Sequence, residues 1–145
     1  MKQKKINIAI VGFGNIGSYF YKILEKNKSN ILKKTGKKIY VKYISAKSLN
    51  KKRKIKIPKS KWIKNLTSLA FKNDIDIIVE LIGGSEGAAK QLVFSALKNK
   101  KHVITANKSL MAKHGDALSM LAEKNKVNLE YEASVAGGVP IIRSI

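Results

Sequence analysis

The sequence predicts an α/β fold, a parallel sheet wound with helices on both faces, and three observations carry that prediction. Apolar runs of strand length alternate with stretches of helical periodicity. The first run opens into Gly12-Phe13-Gly14-Asn15-Ile16-Gly17. The later glycine-rich and small-residue turns also follow the ends of apolar runs, and right-handed crossovers bring all such turns to one edge of a sheet.

In chain order, residues 5–11 (KINIAIV) alternate and then become continuously apolar, as a buried parallel strand does. Ile16, Phe20, Ile23 and Leu24 recur at helical spacing, and the polar stretch 26–30 is expected to close that helix. Residues 39–45 (IYVKYIS), rich in β-branched and aromatic side chains, predict a second strand. Lysine, serine and asparagine dominate 47–61, which also holds Pro58, and predict a solvated loop. A short helix follows near 66–72, then a third strand over 76–82 that stops at Gly83-Gly84. The spacing predicts a helix over 88–97 with Leu92, Val93, Ala96 and Leu97 inward, and a strand over 102–105. The last helix is expected over 109–125, with Leu110, Met111, Leu118 and Leu121 as its stripe and Gly115 as a weak point. A fifth strand over 127–132 and a small-residue loop over 133–140 complete a Rossmann-type doubly wound sheet. Residues 1–132 are expected to form the nucleotide-binding domain, with 133–145 starting a connection to a further domain.

Composition narrows the function. A chain of 145 residues with 44% hydrophobic and 27% charged residues suits one domain with a real core. The absence of cysteine excludes a disulfide scaffold and a thiolate zinc site. No apolar run approaches the roughly 18 residues that span a bilayer, and the N-terminus lacks the h-region of a signal peptide, so a cytoplasmic protein with no membrane partner is expected. The formal charge of +21 suggests a nucleic-acid partner, but only Arg53 and Arg143 of the 30 basic residues are arginine. Bidentate recognition of bases and phosphates leans on arginine, so no nucleic-acid partner is expected. Glu25 is the one acid before Asp74, and an anionic ligand is therefore drawn to the N-terminal half.

The glycine turn follows a buried strand and opens a helix, the placement that dinucleotide binding requires. In this reading Gly12 permits the tight turn, Gly14 lets backbone approach a pyrophosphate, and Gly17 allows close helix-strand packing, with Phe13, Asn15 and Ile16 completing the loop. At the end of strand two an acid would bind a ribose 2′-hydroxyl and repel a 2′-phosphate. Ser45-Ala46-Lys47-Ser48 has no acid, and Lys47 heads a group of cations, which favours NADP over NAD. Gly83 and Gly84 place bare backbone where a nicotinamide ring would pass. Thr105-Ala106-Asn107-Lys108 puts a lysine at a helix start, where the macrodipole disfavours a cation by some tenths of a kcal/mol unless a ligand offsets it. His102 and His114 have no nucleophile arrangement around them and are expected to be structural.

Three blocks are more specific: Val79-Glu80-Leu81-Ile82-Gly83-Gly84; Val103-Ile104-Thr105-Ala106-Asn107-Lys108 with Leu110-Met111-Ala112 and His114-Gly115; and Tyr131-Glu132-Ala133-Ser134-Val135-Ala136-Gly137-Gly138-Val139-Pro140-Ile141-Ile142. In order and spacing they resemble homoserine dehydrogenase over essentially the whole chain. The resemblance implies a nicotinamide-dependent interconversion of L-aspartate 4-semialdehyde and L-homoserine, in the route to threonine, methionine and isoleucine. It implies that Lys108 lies beside nicotinamide and substrate in cofactor binding or proton transfer; Gly83, Gly84 and Thr105, on the same sheet edge, are the further candidate cofactor-binding residues. It also implies a sodium-like monovalent ion held by Glu132, Val135, Gly137 and Val139, chemically sensible for hard oxygen ligands. The family's strand-two end often carries an arginine and then an acid, and Lys47 and Ser48 stand in those places. Family members continue well beyond the equivalent of Ile145 into a substrate domain and a dimer interface. The expectation is a cofactor-binding portion, a homodimer when full length, with no turnover of its small-molecule substrate by this part alone. Competing readings are another amino-acid-pathway dehydrogenase and a non-catalytic, lysine-rich module binding nucleotide or nucleic acid. Without cysteine, the phosphorylating semialdehyde enzymes are disfavoured, since a thiolate forms their acyl intermediate.

Overall fold

The computed structural model describes residues 4–48 and 55–134. β1 (Lys4–Val11) leads through a tight turn into α1 (Asn15–Thr35) and β2 (Lys37–Ser45). Then come β3 (Ile77–Glu80), α2 (Ala88–Lys98), β4 (His102–Thr105), α3 (Lys108–Asn125) and β5 (Leu129–Glu130). The strands form one five-stranded sheet in the order β2-β1-β3-β4-β5, and every pairing is parallel. The chain steps outward from β1 to β2 and then returns to place β3 on the other side of β1. That reversal leaves the turns after β1 and β3 to diverge, and ligands of such sheets bind at this point.

Pleating sends successive residues of β1 to opposite faces, and each face has its own core. Ile8 and Ile10 pack with Val41, Ile44 and Val79 against Tyr21 and Leu24 of α1. Ala9 and Val11 pack with Ile78 and Val103 against Leu92, Val93, Ala96 and Leu97 of α2 and Leu110 and Leu118 of α3. The expected inward set of α2 is thus buried in full. Complete burial of each large aliphatic side chain contributes about 1.5–3 kcal/mol, so these two layers hold the sheet edge that carries the site.

Several elements depart from the sequence reading. α1 does not close at 26–30 but runs to Thr35. Lys26, Ser29 and Asn30 face solvent and Asn27 and Lys28 are half-buried, none of them breaking the backbone ladder, and the helix stops at Gly36, whose φ of 67° and N–H bonded to the Leu32 carbonyl form a left-handed cap. Its buried face is Gly17, Tyr21 and Leu24, while Ile16 and Ile23 of the predicted stripe are 68% and 39% exposed. β3 and β5 are shorter than their apolar runs. The segment 66–72 is a 3-10 helix, Leu66–Phe71. Within the predicted solvated loop, a 3-10 turn spans Lys59–Lys61, and Ile55 and Ile57 pack on the α1-side core. Trp62 then forms a parallel bridge to Ile44 on the outer edge of β2, and Ile63 N–H donates to the Ile44 carbonyl at 2.9 Å. The middle of that loop lies outside the described residues.

Candidate functional site

The turn after β1 is built by two glycines that are closed and one that is open. Gly12 has φ +101°, and a Cβ there would stand 2.5 Å from the Leu81 carbonyl oxygen, while its N–H donates to the Ser45 carbonyl at 2.9 Å. A Cβ on Gly17 would strike the Gly12 carbonyl. Around Gly14 nothing lies within 4 Å of the Cβ position. α1 starts at once after Gly14, with no side-chain cap and no acid in its first turn. Its leading N–H groups therefore face the open side of Gly14 at the positive end of the helix, an arrangement that receives anions. Asn15 and Ile16 are exposed beside it. Phe13 differs: its ring is buried, edge-on to Tyr21 at 5.8 Å and to Trp62 at 5.5 Å, so a ligand meets only its backbone.

A crevice of about 820 Å³ lies along the same sheet edge, lined among others by Ser45, Lys47, Lys64, Gly83 and Glu86. Lys47 and Ser48 are exposed there. Lys64, which sequence reasoning missed, arrives from the β2–β3 connection and adds a second lysine to the described lining of the crevice. Only proximity in the fold relates it to Lys47. Ser45 is 1% exposed, and its hydroxyl has no partner among the described residues, an orphan polar atom on the wall of a cavity. Neither Gly14 nor Lys108 lines this crevice.

Beyond Gly83, the two turns after β3 and β4 are bound together. Glu80, the last residue of β3, is completely buried and accepts from the N–H groups of Ile82 at 2.7 Å and Gly83 at 3.1 Å. The Thr105 hydroxyl donates to its other oxygen at 2.5 Å. Thr105 is thus turned into the sheet, and its side chain is as buried as Glu80. Asn107 caps α3, accepting from Leu110 N–H at 3.1 Å, and donates to the Gly84 carbonyl at 2.7 Å. Lys108 follows as the first, exposed residue of α3, with no acid in that first turn. Glu80 was visible in the sequence only as an acid ending an apolar run before two glycines.

Glu86 joins the loop before α2 to α3. Lys113 at 2.7 Å, Lys90 at 2.9 Å and His114 at 3.0 Å surround its carboxylate. Hydrogen bonds from Lys113, then Lys90 and His114, hold its pKa at about 2. His114 also sets its ring edge-on to Phe94, and His102 accepts the Asn128 N–H at 3.0 Å through Nδ1. Both histidines therefore connect elements of the fold. Glu132 lies on the 3-10 turn Glu132–Ser134 and is exposed. Val135, Gly137 and Val139 lie outside the described residues, and among the described residues no group of three His, Cys, Asp or Glu is placed to hold a metal ion. No helix among the described residues is long and apolar enough to cross a membrane.

Residues 12–132 match the sequence profile of the homoserine dehydrogenase NAD-binding domain. The homoserine dehydrogenase of Bacillus subtilis strain 168 is 37% identical over 143 residues, covering 99% of this chain and 33% of the relative. The crystal structure of S. aureus homoserine dehydrogenase at pH 7.5 superposes with a TM-score of 0.85 at 43% identity, over 92% of this chain and 34% of the other. A hyperthermophilic archaeal homoserine dehydrogenase, solved in complex with NADPH, shares the fold with a TM-score of 0.75 at 23% identity, over 95% and 47% of the two chains. The chain spans about a third of the length of the bacterial relatives it matches.

Proposed function

Because residues 12–132 match the family's NAD-binding domain, the chain belongs to the homoserine dehydrogenase family, and on that premise we propose that it holds NADP(H) for the interconversion of L-aspartate 4-semialdehyde and L-homoserine. The observation that carries this reading is the open side of Gly14 between two glycines closed against backbone. Amides at the start of α1 hold the diphosphate, while Lys47 and Lys64 hold a 2′-phosphate at the crevice. No acid stands between Glu25 and Asp74, and Glu86 on the crevice wall is held by Lys113, Lys90 and His114. The NADPH bound by the archaeal relative has the same chemistry. NAD is the weaker ligand in this reading.

When bound, the coenzyme supplies the hydride that reduces the aldehyde carbon. Gly83 and Gly84, with nothing at their Cβ positions, would give the nicotinamide end a floor without side chains. Lys108, a cation against the positive end of α3, gains from an electron-rich partner and holds a proton for the substrate oxygen. Thr105 acts through its place beneath the loop. In the whole enzyme Glu132, together with Val135, Gly137 and Val139 outside the described residues, would supply hard oxygen ligands to a sodium-like monovalent ion. A homodimer and a cytoplasmic setting belong to the same proposal for the whole enzyme.

Calorimetry on the purified chain tests the reading. NADPH is expected to bind with micromolar affinity or weaker and NADH about tenfold more weakly still, the difference being one or two charge-assisted hydrogen bonds. The double variant Lys47→Ala/Lys64→Ala should lose that preference while keeping its NADH affinity. The chain alone should not oxidise homoserine. No heat with NADPH overturns the proposal, and equal affinity for both coenzymes overturns the preference for the phosphorylated one.

A further inference from the structure

A carboxyl group at the end of a core strand, with no cation against it among the described residues, is an expensive choice where an aliphatic side chain would pack. What Glu80 does with its two oxygens explains its presence. One oxygen takes both leading amides of the β3 turn, Ile82 and Gly83, and the other takes the Thr105 hydroxyl at the end of β4. Thr105 accepts from the Asn107 N–H at 3.1 Å, and Asn107 reaches back to the Gly84 carbonyl. The circuit Glu80–Gly83–Gly84–Asn107–Thr105 is closed, and it contains both turns on the ligand side of β3 and β4.

Two consequences follow from its polarity. Gly83 and Gly84 have φ of 79° and 85° and no neighbour at their Cβ positions, so local sterics leave this pair many conformations. Glu80 and Asn107 select one of them before any ligand arrives. With its N–H directed to Glu80, Gly83 presents the crevice with its bare Cα rather than a donor. The same Asn107 that holds Gly84 caps α3, so the start of the helix that carries Lys108 is set from the same anchor.

We propose that Glu80 is a positioning residue which, through Thr105 and Asn107, presets the Gly83–Gly84 loop and the first turn of α3 for the nicotinamide end of the coenzyme. The inference rests on the coenzyme-binding function above. It separates the two ends of the ligand: the adenosine end meets Lys47, Lys64 and the β2 terminus, none of which belongs to the circuit although Gly83 lines the same crevice, whereas the nicotinamide end meets the two turns it joins.

Glu80→Gln keeps the shape and reverses the polarity of one terminal atom. With its NH₂ toward Thr105 that bond inverts, so the hydroxyl proton loses its acceptor, and the Ile82 and Gly83 amides meet a neutral oxygen in place of a charged one. Thr105→Val removes the hydroxyl, and Thr105→Ser restores it. Calorimetry with NADPH and with 2′,5′-ADP, which carries only the adenosine end, reads the effect on the purified chain. Glu80→Gln and Thr105→Val are expected to weaken NADPH about tenfold or more while changing 2′,5′-ADP less than about twofold, and Thr105→Ser should return NADPH affinity to near wild type. Equal loss of both ligands, or loss of neither, overturns the inference and leaves Glu80 a part of the fold alone. Should Glu80→Gln fail to fold, the same split in Thr105→Val against Thr105→Ser decides. A wild-type chain that binds 2′,5′-ADP but gains nothing from the nicotinamide half sinks the inference while the nucleotide site stands; one that binds neither ligand removes the site and the inference together.

Discussion

Gly14 and Gly17 stand three residues apart, yet the same methyl group has opposite consequences at the two positions. At Gly17 it meets the Gly12 carbonyl, with no flexible side chain to move aside, whereas at Gly14 it enters open space. Gly17→Ala should therefore destabilise the chain by about 1–3 kcal/mol in urea unfolding, the scale of overpacking a fitted contact. Gly14→Ala should stay within about 0.5 kcal/mol of wild type, yet weaken NADPH about tenfold or more by filling the diphosphate approach. A stable Gly14→Ala chain with undiminished affinity would contradict the assignment of that space. These glycines were legible because their spacing is a local property of strand, turn and helix. Glu80 and Thr105 were not, because the hydroxyl and carboxylate that meet are separated by 25 positions. Nor does a motif say that Phe13 turns its ring into the core.

Elements follow the same division between local and distant causes. The alternation of strands and helices was readable from periodicity, and β4 and α2 lie close to where it put them. The end of α1 was misread because a run of lysine, serine and asparagine resembles a loop in composition. Such residues on the solvent side of a helix leave its backbone bonds intact, and it took Gly36 to end it. The exposed Ile16 and Ile23 show a related limit, since apolar spacing alone cannot say which flank of a helix the sheet will cover. Between elements, Glu86 clasps the loop before α2 to α3 through Lys113 and His114. Its folded pKa of about 2 lies below its ordinary 4.5, so the stability it contributes is present above pH 4.5 and lost as the pH falls toward 2. Glu86→Gln should lower the melting temperature slightly at neutral pH, the group being exposed, and the gap from wild type should close through that acid window. Melting curves at a series of pH values check this, and a gap that persists to pH 2 would show that the clasp contributes nothing through its charge.

The whole molecule carries +21 on 145 residues. Lys5, Lys28 and Lys61 converge on the Tyr40 ring, at 4.7, 5.8 and 4.8 Å from its centre. The ring's π face attracts each cation, but the ammonium groups repel one another, as do the remaining lysines of the N-terminal half. Raising sodium chloride from about 0.05 to about 0.5 M shortens the screening length severalfold and should raise the melting temperature. A fall or no change would mean that this charge is already balanced within the fold. From its residues alone, the chain was readable as a wound parallel sheet with a glycine turn between its first strand and helix, because helix and strand periods and the turn between them are short-range. Folding supplied what distance along the chain conceals: Lys64 beside Lys47, the buried clasp of Glu80 on two turns, and the outward side of α1. Those depend on which segments the sheet order makes neighbours, and no local period encodes that.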